Sequence, residues 1–200
     1  FSGFLYEFVL IYLDDLLIYS RDMETHIQHL ETIFLILREH NLKLQRKKCR
    51  FALSEISYLG YTISAEGLSP IHDKVAAIYN IPIPTNTHDL RVFLGCTSYY
   101  RRFISSYAKI AQPLYNLLKK DVAFVFSDTC QKAFQLLKDA LTSPPVLRFP
   151  QFDKPFILAT DASTRGIGAV LAQLDDNGQE HPVAFISRST STAESNYSIT

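Results

Sequence analysis

The hydrophobic pattern begins with two short apolar runs that flank a pair of acids, in the segment FVLIYLDDLLIYS from Phe8 to Ser20. Val, Ile, Leu and Tyr favour extended structure, so the pattern predicts two β-strands that meet at Asp14 and Asp15. Favoured two-residue hairpin turns need backbone φ above zero, which makes two aspartates an unusual choice. Their like charges repel, and a divalent cation such as Mg²⁺ would offset that repulsion. The pair is either an ordinary turn or a metal site, and the pattern leaves both open.

A helical pattern follows directly in the segment RDMETHIQHLETIFLILREHN. It predicts a helix packed on the hairpin, because apolar side chains recur at helical spacing. These side chains are Ile27, Leu30, Ile33, Phe34 and Leu37. A dense basic run comes next, made of Lys43, Arg46, Lys47, Lys48 and Arg50. Such a run is either a solvated face or a phosphate-binding surface.

The middle of the chain is predicted to be a linker followed by helix. Pro82 and Pro84 break the chain and indicate a domain boundary. Thr87 is the expected N-cap of a largely helical segment, which should stop near Pro113.

This helical segment is basic although the whole chain is neutral. From residue 91 to 120 it contains six Lys or Arg residues and no acidic residue. Helical spacing favours core packing for Phe103. The neighbouring Tyr and Arg side chains, Tyr99 and Tyr100 among them, could instead face a nucleic-acid backbone.

The last third combines one helix with three strands. SDTCQKAFQLLKDALTS predicts an amphipathic helix, with Ser127 or Asp128 as its cap and a buried stripe at Phe134, Leu137 and Leu141. The runs FILATDAS, GIGAVLAQL and HPVAFISRS predict strands, the last two joined by a turn at Asp175 and Asp176. Asp161 lies at the expected end of the first of these strands. A structural role and a metal-binding role are both open for it.

Composition narrows the function only slightly. Lys plus Arg and Asp plus Glu are 20 each, so no global positive field argues for nucleic acid. The three cysteines lack metal-ligand spacing, which argues against structural zinc. No apolar run approaches the roughly 18 residues of a membrane span and no signal segment opens the chain, so an intracellular protein is expected. Because the chain begins with Phe1 rather than Met, we expect a piece of a longer protein.

Five motifs, read in order, resemble one family. They are YLDD, SYLGYTIS, LRVFLGCTSYYRRFI, AFQLLKDALTSPPVL and TDASTRGIGAVLAQ, and the resemblance that they carry covers nearly all 200 residues. In this order they resemble the Pol polyprotein of gypsy-type LTR retrotransposons, in which a reverse transcriptase runs into a ribonuclease H. The resemblance implies an α+β fold: the C-terminal part of a polymerase palm and a helical thumb, then a truncated ribonuclease H-like domain.

The same resemblance implies four regions. Residues 1–80 would be the palm part with a primer-grip hairpin, and 81–120 the thumb. Residues 121–154 would be a connecting helix and tether, and 155–200 the start of the ribonuclease H-like domain.

Roles in the polymerase part also follow from the resemblance. Asp14 and Asp15 would be catalytic carboxylates that bind Mg²⁺, with Mn²⁺ as a possible substitute, and Tyr12 would pack near the primer or nucleotide. The primer grip would consist of Tyr58, Leu59, Gly60 and Tyr61. Arg101 and Arg102 would bind the template-primer backbone.

In the ribonuclease H-like part, Asp161 would be the first catalytic, metal-binding aspartate. Glu194 is not expected to be a ligand, because the matching stretch precedes the family's catalytic glutamate. Each metal site lacks carboxylates that the family supplies elsewhere, so the isolated 200 residues are expected to be inactive. The last 45 residues, cut from later helices, should also be poorly stable alone.

The implied partners are an RNA or DNA template with primer, deoxynucleoside triphosphates and an RNA–DNA hybrid, with no membrane. A cytoplasmic particle or the nucleus is the expected location. Two other interpretations are a non-catalytic nucleic-acid-binding relic of such an element and an unrelated α+β domain. A binding-only descendant has no physical need to keep two repelling aspartates at a strained turn, which favours the enzyme.

Overall fold

The computed structural model describes residues 3–164, 166–191 and 193–194, and the chain forms two compact units, 1–54 and 55–200. The α+β class is confirmed. In the first unit the elements are β1 (Val9–Tyr12), β2 (Asp15–Ile18), α1 (Met23–Glu39) and a 3₁₀ turn (Arg46–Lys48). The four-region division predicted from the sequence stays a prediction.

The second unit contains six strands, four α-helices and one 3₁₀ turn in its described part. Its strands are β3 (Glu55–Tyr58), β4 (Tyr61–Ser64), β5 (Gly67–Pro70), β6 (Ile157–Ser163), β7 (Gly166–Leu174) and β8 (Glu180–Ser189). Its helices are α2 (His72–Tyr79), α3 (Thr87–Tyr99), α4 (Tyr107–Asn116) and α5 (Asp128–Thr142), and the 3₁₀ turn is Arg101–Phe103. No described helix has the length and apolarity needed to cross a membrane.

The first unit is an antiparallel hairpin on a helix, as predicted. Ile33 and Leu37 of α1 form a buried cluster with Phe8 and Val9. Asp22 caps the helix by accepting a hydrogen bond from the Thr25 N–H at 2.8 Å. The predicted stripe is wrong at two positions. Ile27 and Phe34 are 52% and 41% exposed, because the hairpin is too narrow to cover the whole apolar face.

The first sheet of the second unit is the meander β3-β4-β5, extended by the tether. Leu68 and Leu147 exchange two backbone hydrogen bonds of 2.8 and 2.9 Å. Gly67 makes this approach possible, because a Cβ there would collide with the Leu147 carbonyl and its φ is +137°. The next residue, Arg148, donates its N–H to the Pro182 carbonyl on β8 at 2.9 Å. The tether is thereby bonded to both sheets.

The helical middle differs from the predicted segment in three ways. Asn86, not Thr87, caps α3, and its side chain accepts from the Asp89 N–H. The chain breaks after the 3₁₀ turn, where Ser106 has φ +55°, and a new helix begins. Pro113 lies inside that helix, which loses one backbone hydrogen bond there because Pro has no N–H.

The main core lies among α3, α4 and α5. Phe103 is 2% exposed, which confirms its predicted core role. The predicted stripe of α5 is also confirmed, since Phe134, Leu137 and Leu141 are all buried and Phe134 contacts Phe93 at 4.3 Å between ring centroids. Ser127 is the N-cap position of α5, although its side chain makes no capping bond.

The last sheet is the antiparallel order β6-β7-β8, and the three predicted strands are confirmed. Asp175 serves the β7–β8 turn, where one carboxylate oxygen accepts the N–H groups of Asn177 and Gln179 at 2.9 Å each. Buried Gln173 holds the tether. Its side-chain amide bonds both the N–H and the carbonyl of Gln151, at 2.9 and 2.7 Å.

Candidate functional site

The aspartate hairpin turns one residue earlier than the pattern predicted. Tyr12 pairs with Asp15, so the two central turn residues are Leu13 and Asp14. Leu13, with φ +52°, takes the strained left-handed position. The register of the four paired residues on each strand fixes this turn, and Asp15 is already the first residue of β2.

The turn presents its polar groups to solvent. Asp14 and Asp15 are both exposed, and no hydrogen bond or ion pair engages either carboxylate within the described ranges. Tyr12 is 53% exposed and Leu13 85%. An exposed apolar turn with two unpaired acids is poorly explained as a packing device, whereas it suits contact with a cation and another molecule.

The two carboxylates fit a divalent cation as part of its ligand set. Among the described residues no group of three or more His, Cys, Asp or Glu could hold a metal ion. Mg²⁺ usually keeps several waters and takes one or two protein carboxylates plus substrate phosphates. Asp14 and Asp15 therefore provide two of the carboxylates of such a shell.

A second tight hairpin lies in the second unit at the predicted primer grip. Tyr58 pairs with Tyr61, and the turn residues Leu59 and Gly60 have φ of +47° and +76°. Two positive φ values define the primed turn that matches the strand twist. Sequence reasoning placed these four residues correctly in one hairpin.

Sequence reasoning missed what holds this turn. Tyr99 donates its hydroxyl hydrogen to the Leu59 carbonyl, and Tyr100 donates to the Gly60 carbonyl at 2.8 Å. Tyr100 is only 4% exposed, so its ring faces the protein rather than a ligand. The sequence offered no signal for these contacts, because their partners lie 40 residues apart.

The two predicted backbone-binding arginines have different surroundings. Arg101 donates a guanidinium hydrogen to the Ser187 carbonyl and lies 5.3 Å from the Tyr107 ring centroid. Arg102 is exposed and makes no hydrogen bond or ion pair with the described residues. Its positive charge interacts with Tyr61 in the hairpin and lowers the pKa of that phenol, against the other effects that raise it. Arg102 is thus the better placed of the two for an external anion.

The phenol of Tyr61 is held in its protonated form. Burial, followed by the negative potential of Tyr99, raises its pKa to about 12. Its hydroxyl donates to the Tyr99 carbonyl at 3.2 Å, and the two rings stack with centroids 5.3 Å apart. At neutral pH this side chain is therefore a neutral donor.

Asp161 lies within β6 rather than at its end, because pairing with β7 continues to Ser163. It is exposed and faces Gly168 across the pair. It lines a small crevice together with Ser106 and Lys109, at the start of α4. No second described acid joins it there, so the structure brings one carboxylate to this position.

Glu194 makes an ion pair instead of belonging to that crevice. Its two carboxylate oxygens accept from Arg188 at 2.6 and 2.7 Å, and it also accepts from the Ser191 N–H. These hydrogen bonds lower the pKa of Glu194 to about 2. The Glu194 carboxylate is therefore engaged within the protein, and the expectation that it is not a metal ligand stays a prediction.

Two family models match the chain. Residues 3–63 match the model described as "Reverse transcriptase (RNA-dependent DNA polymerase)". Residues 126–200 match "RNase H-like domain found in reverse transcriptase".

The chain is also similar to retrotransposon polyproteins over most of its length. The Pol polyprotein from transposon opus of Drosophila melanogaster is 41% identical over 198 residues, which cover 94% of this chain and 20% of that protein. The polyprotein from Drosophila transposon 297 is 43% identical over 193 residues, covering 94% and 18%. The Tf2-3 polyprotein of Schizosaccharomyces pombe is 38% identical over 191 residues, covering 96% and 14%. The chain thus spans about a fifth or less of the length of these relatives.

Solved structures share the fold. A foamy viral protease-reverse transcriptase in complex with dsDNA superposes with a TM-score of 0.82 at 22% identity, over 96% of this chain and 40% of that one. The same viral protein in complex with RNA/DNA hybrid gives 0.80 at 22%, over 96% and 26%.

The chain belongs to the reverse transcriptase and RNase H-like region of retrotransposon Pol polyproteins. The resemblance predicted from the five motifs is confirmed. The two other interpretations, a binding-only relic and an unrelated α+β domain, are not favoured by these matches. The roles of individual residues stay predictions.

Proposed function

We propose that this chain is the palm end, thumb and RNase H-like part of an RNA-directed DNA polymerase that also cleaves RNA in RNA–DNA hybrids. The observation that carries the proposal is the pair of exposed, unpaired carboxylates on the tight turn between β1 and β2. Two like charges at a turn are unfavourable without a cation nearby. The polymerase reaction requires a divalent cation.

Asp14 and Asp15 are the residues that would hold the divalent cation. When bound, Mg²⁺ activates the primer 3′ hydroxyl and offsets the developing charge on the triphosphate. The protein's own contribution is to keep both carboxylates at one fixed turn. The short hairpin, packed on α1 through Phe8 and Val9, provides that rigidity.

Tyr12 and Leu13 would contact the primer end or the incoming nucleotide. Both are more than half exposed beside the two acids, although large apolar side chains are usually buried. Their exposure is explained if a base or sugar covers them during the reaction.

The substrate proposed for the second unit is the template-primer duplex. The Tyr58–Tyr61 hairpin would position the primer end, and exposed Arg102 would contact a backbone phosphate. Such contacts are independent of base sequence and weaken as salt rises. The foamy viral relatives, with their bound dsDNA and RNA/DNA hybrid, support nucleic acid as the partner.

Asp161 would be one ligand of a second divalent metal centre that cleaves the RNA strand. Its exposure within β6 leaves the carboxylate accessible from solvent. Deoxynucleoside triphosphates are the proposed co-substrates of the polymerase.

The experiment that tests the proposal is Mg²⁺-dependent primer extension on an RNA template. The Pol polyprotein that carries this chain is compared with its Asp14→Asn/Asp15→Asn variant. The matched control is Glu31→Gln/Asp73→Asn, which also removes two exposed negative charges. We expect extension by the wild type and the control, and a loss of at least about 1,000-fold in the aspartate variant. Equal extension by all three proteins would refute the assignment.

A further inference from the structure

Two consecutive tyrosines at the end of α3 hold the turn of the β3–β4 hairpin. The Tyr99 hydroxyl donates to the carbonyl of Leu59, and the Tyr100 hydroxyl donates to the carbonyl of Gly60 at 2.8 Å. Both turn carbonyls are therefore fixed by side chains of one helix end. A turn at a hairpin tip normally leaves such carbonyls to water.

A third tyrosine closes this arrangement from the strand side. Tyr61, the first residue of β4, donates its hydroxyl to the carbonyl of Tyr99 at 3.2 Å. Its ring is nearly parallel to Tyr99, at 12°, and edge-on to Tyr100, at 88°. We call Tyr61, Tyr99 and Tyr100 the tyrosine clamp. Hydrogen bonds run in both directions between hairpin and helix, so neither can shift alone.

The turn has glycine at residue 60, where the Tyr99 side chain of the clamp leaves no space for a Cβ. A Cβ on Gly60 would lie 2.7 Å from the Tyr99 hydroxyl oxygen, closer than real Cβ atoms approach any atom. Its φ of +76° also favours glycine. Leu59 has a left-handed backbone conformation, with φ +47°, which is unfavourable for a residue with a side chain. A strained turn with both carbonyls bonded has one defined position.

Two members of the clamp, Tyr61 and Tyr100, are at least partly shielded from water. Tyr100 is buried, and burial raises the pKa of both Tyr61 and Tyr100. The phenols of Tyr61 and Tyr100 therefore keep their protons and can donate throughout the physiological pH range. A charged clamp would instead repel a nearby phosphate.

We propose that Tyr99 and Tyr100 are positioning residues for the primer 3′ end, acting through the Leu59–Gly60 turn. The inference rests on the proposed function, in which the Tyr58–Tyr61 hairpin is the primer grip. Because hydrogen bonds join the end of helix α3 to the turn, the end of the helix sets the place of the turn and, through it, of the primer terminus. A displacement of about 1 Å at a reacting end can cost about 100-fold in rate.

The test removes hydroxyls and keeps rings. Tyr99→Phe/Tyr100→Phe in the Pol polyprotein that carries this chain loses both bonds to the turn while retaining aromatic packing. The control is Tyr79→Phe on α2, which removes the hydroxyl of an exposed tyrosine far from the turn in sequence. Three quantities are measured: single-turnover extension rate, template-primer affinity, and amide hydrogen exchange at residues 59–60.

We expect the double variant to extend primers about 10- to 100-fold more slowly. Its template-primer Kd should change by less than about twofold, because both substitutions keep the rings and remove only the two hydroxyls that are bonded to the turn. Amide exchange at the turn should accelerate, while the melting temperature shows that the protein is still folded. Tyr79→Phe should leave all of these values unchanged.

Two results would overturn the inference alone. Unchanged exchange at the turn would show that the hydroxyls do not hold it. Faster exchange with an unchanged extension rate would show that the clamp is structural and positions nothing. Failure of the wild-type protein to extend any primer is a different result, since it would overturn the proposed function and the primer-positioning role with it.

Discussion

The guanidinium group of Arg101 donates a hydrogen bond to the backbone carbonyl of Ser187 on β8. The same guanidinium lies over the Tyr107 ring, and the Ser187 hydroxyl oxygen accepts the Ala108 N–H at 3.0 Å. These contacts join the region between α3 and α4 to the RNase H-like sheet. Arg101 is therefore bonded within the protein, in contrast to its neighbour Arg102.

We predict that removing Arg101 changes stability, whereas removing Arg102 changes nucleic-acid binding. Arg101→Ala should lower the free energy of unfolding by about 1–2 kcal/mol, because it loses a hydrogen bond and a cation–π contact. Arg102→Ala should leave stability unchanged, lower template-primer affinity and reduce the slope of log K against log salt by about 1. Denaturant unfolding and salt-dependent binding of both variants check this pair. Equal effects of both substitutions on binding would contradict it.

A glycine pair tests the tyrosine clamp through stability. Gly60 and Gly178 both have φ +76°, but a Cβ meets the Tyr99 hydroxyl at Gly60 and open space at Gly178. Gly178→Ala should cost about 1 kcal/mol of unfolding free energy, from backbone strain alone. Gly60→Ala should cost roughly 2–4 kcal/mol, because overpacking adds to the strain. Chemical denaturation of the two variants measures the difference, and equal losses would mean that Tyr99 does not lie against the turn.

The pKa of Tyr61 predicts a loss of stability at alkaline pH. The folded phenol ionises at about 12, whereas an unfolded tyrosine ionises near about 10. Between these values the unfolded chain loses its proton first, so the free energy of unfolding falls as pH rises. Below about pH 10 the contribution is fully present. Tyr61→Phe should flatten this part of the profile in unfolding experiments at pH 9–12, and an unchanged profile would contradict the raised pKa.

The lowered pKa of Glu194 predicts that stability also depends on pH in the acidic range. Hydrogen bonds from Arg188 and from the Ser191 N–H lower this pKa to about 2, below the ordinary value of 4.5. The carboxylate therefore contributes stability above about pH 4.5 and loses it as the pH falls towards 2. NMR titration of the Glu194 side chain should give the low value, and Arg188→Gln should return it towards normal. An ordinary pKa in the wild type would show that the ion pair does not form.

Local patterns predicted most of the elements. Residue types that favour extended structure predicted the β1–β2 hairpin, the resemblance implied the β3–β4 hairpin, and the three runs after residue 155 became β6, β7 and β8. The predicted buried stripe of α5 was correct because its apolar residues recur at a clear helical period and the main core covers them. The exact register of the β1–β2 pair was harder to predict. Composition does not tell Leu13–Asp14 from Asp14–Asp15 as the turn, because the hydrogen bonds of both strands decide it.

Non-local contacts account for what the sequence did not predict. The clamp of Tyr99 on Leu59 spans 40 residues, and the bond of Arg101 to Ser187 spans 86. Neither contact leaves a periodic signal. A basic residue has the same appearance in the sequence whether it faces solvent or a carbonyl. The break before α4 also lacked a signal, because it falls at Ser106, without glycine or proline.

The central claim is that the turn at Asp14 and Asp15 holds a catalytic divalent cation, and Fe²⁺-directed hydroxyl-radical cleavage tests it most directly. Fe²⁺ replaces Mg²⁺ in the Pol polyprotein that carries this chain, with template-primer and a deoxynucleoside triphosphate bound. We predict backbone cleavage at residues 12–15, lost in Asp14→Asn/Asp15→Asn and retained in Glu31→Gln/Asp73→Asn. Absence of cleavage at this turn, or equal cleavage in the aspartate variant, would contradict the claim.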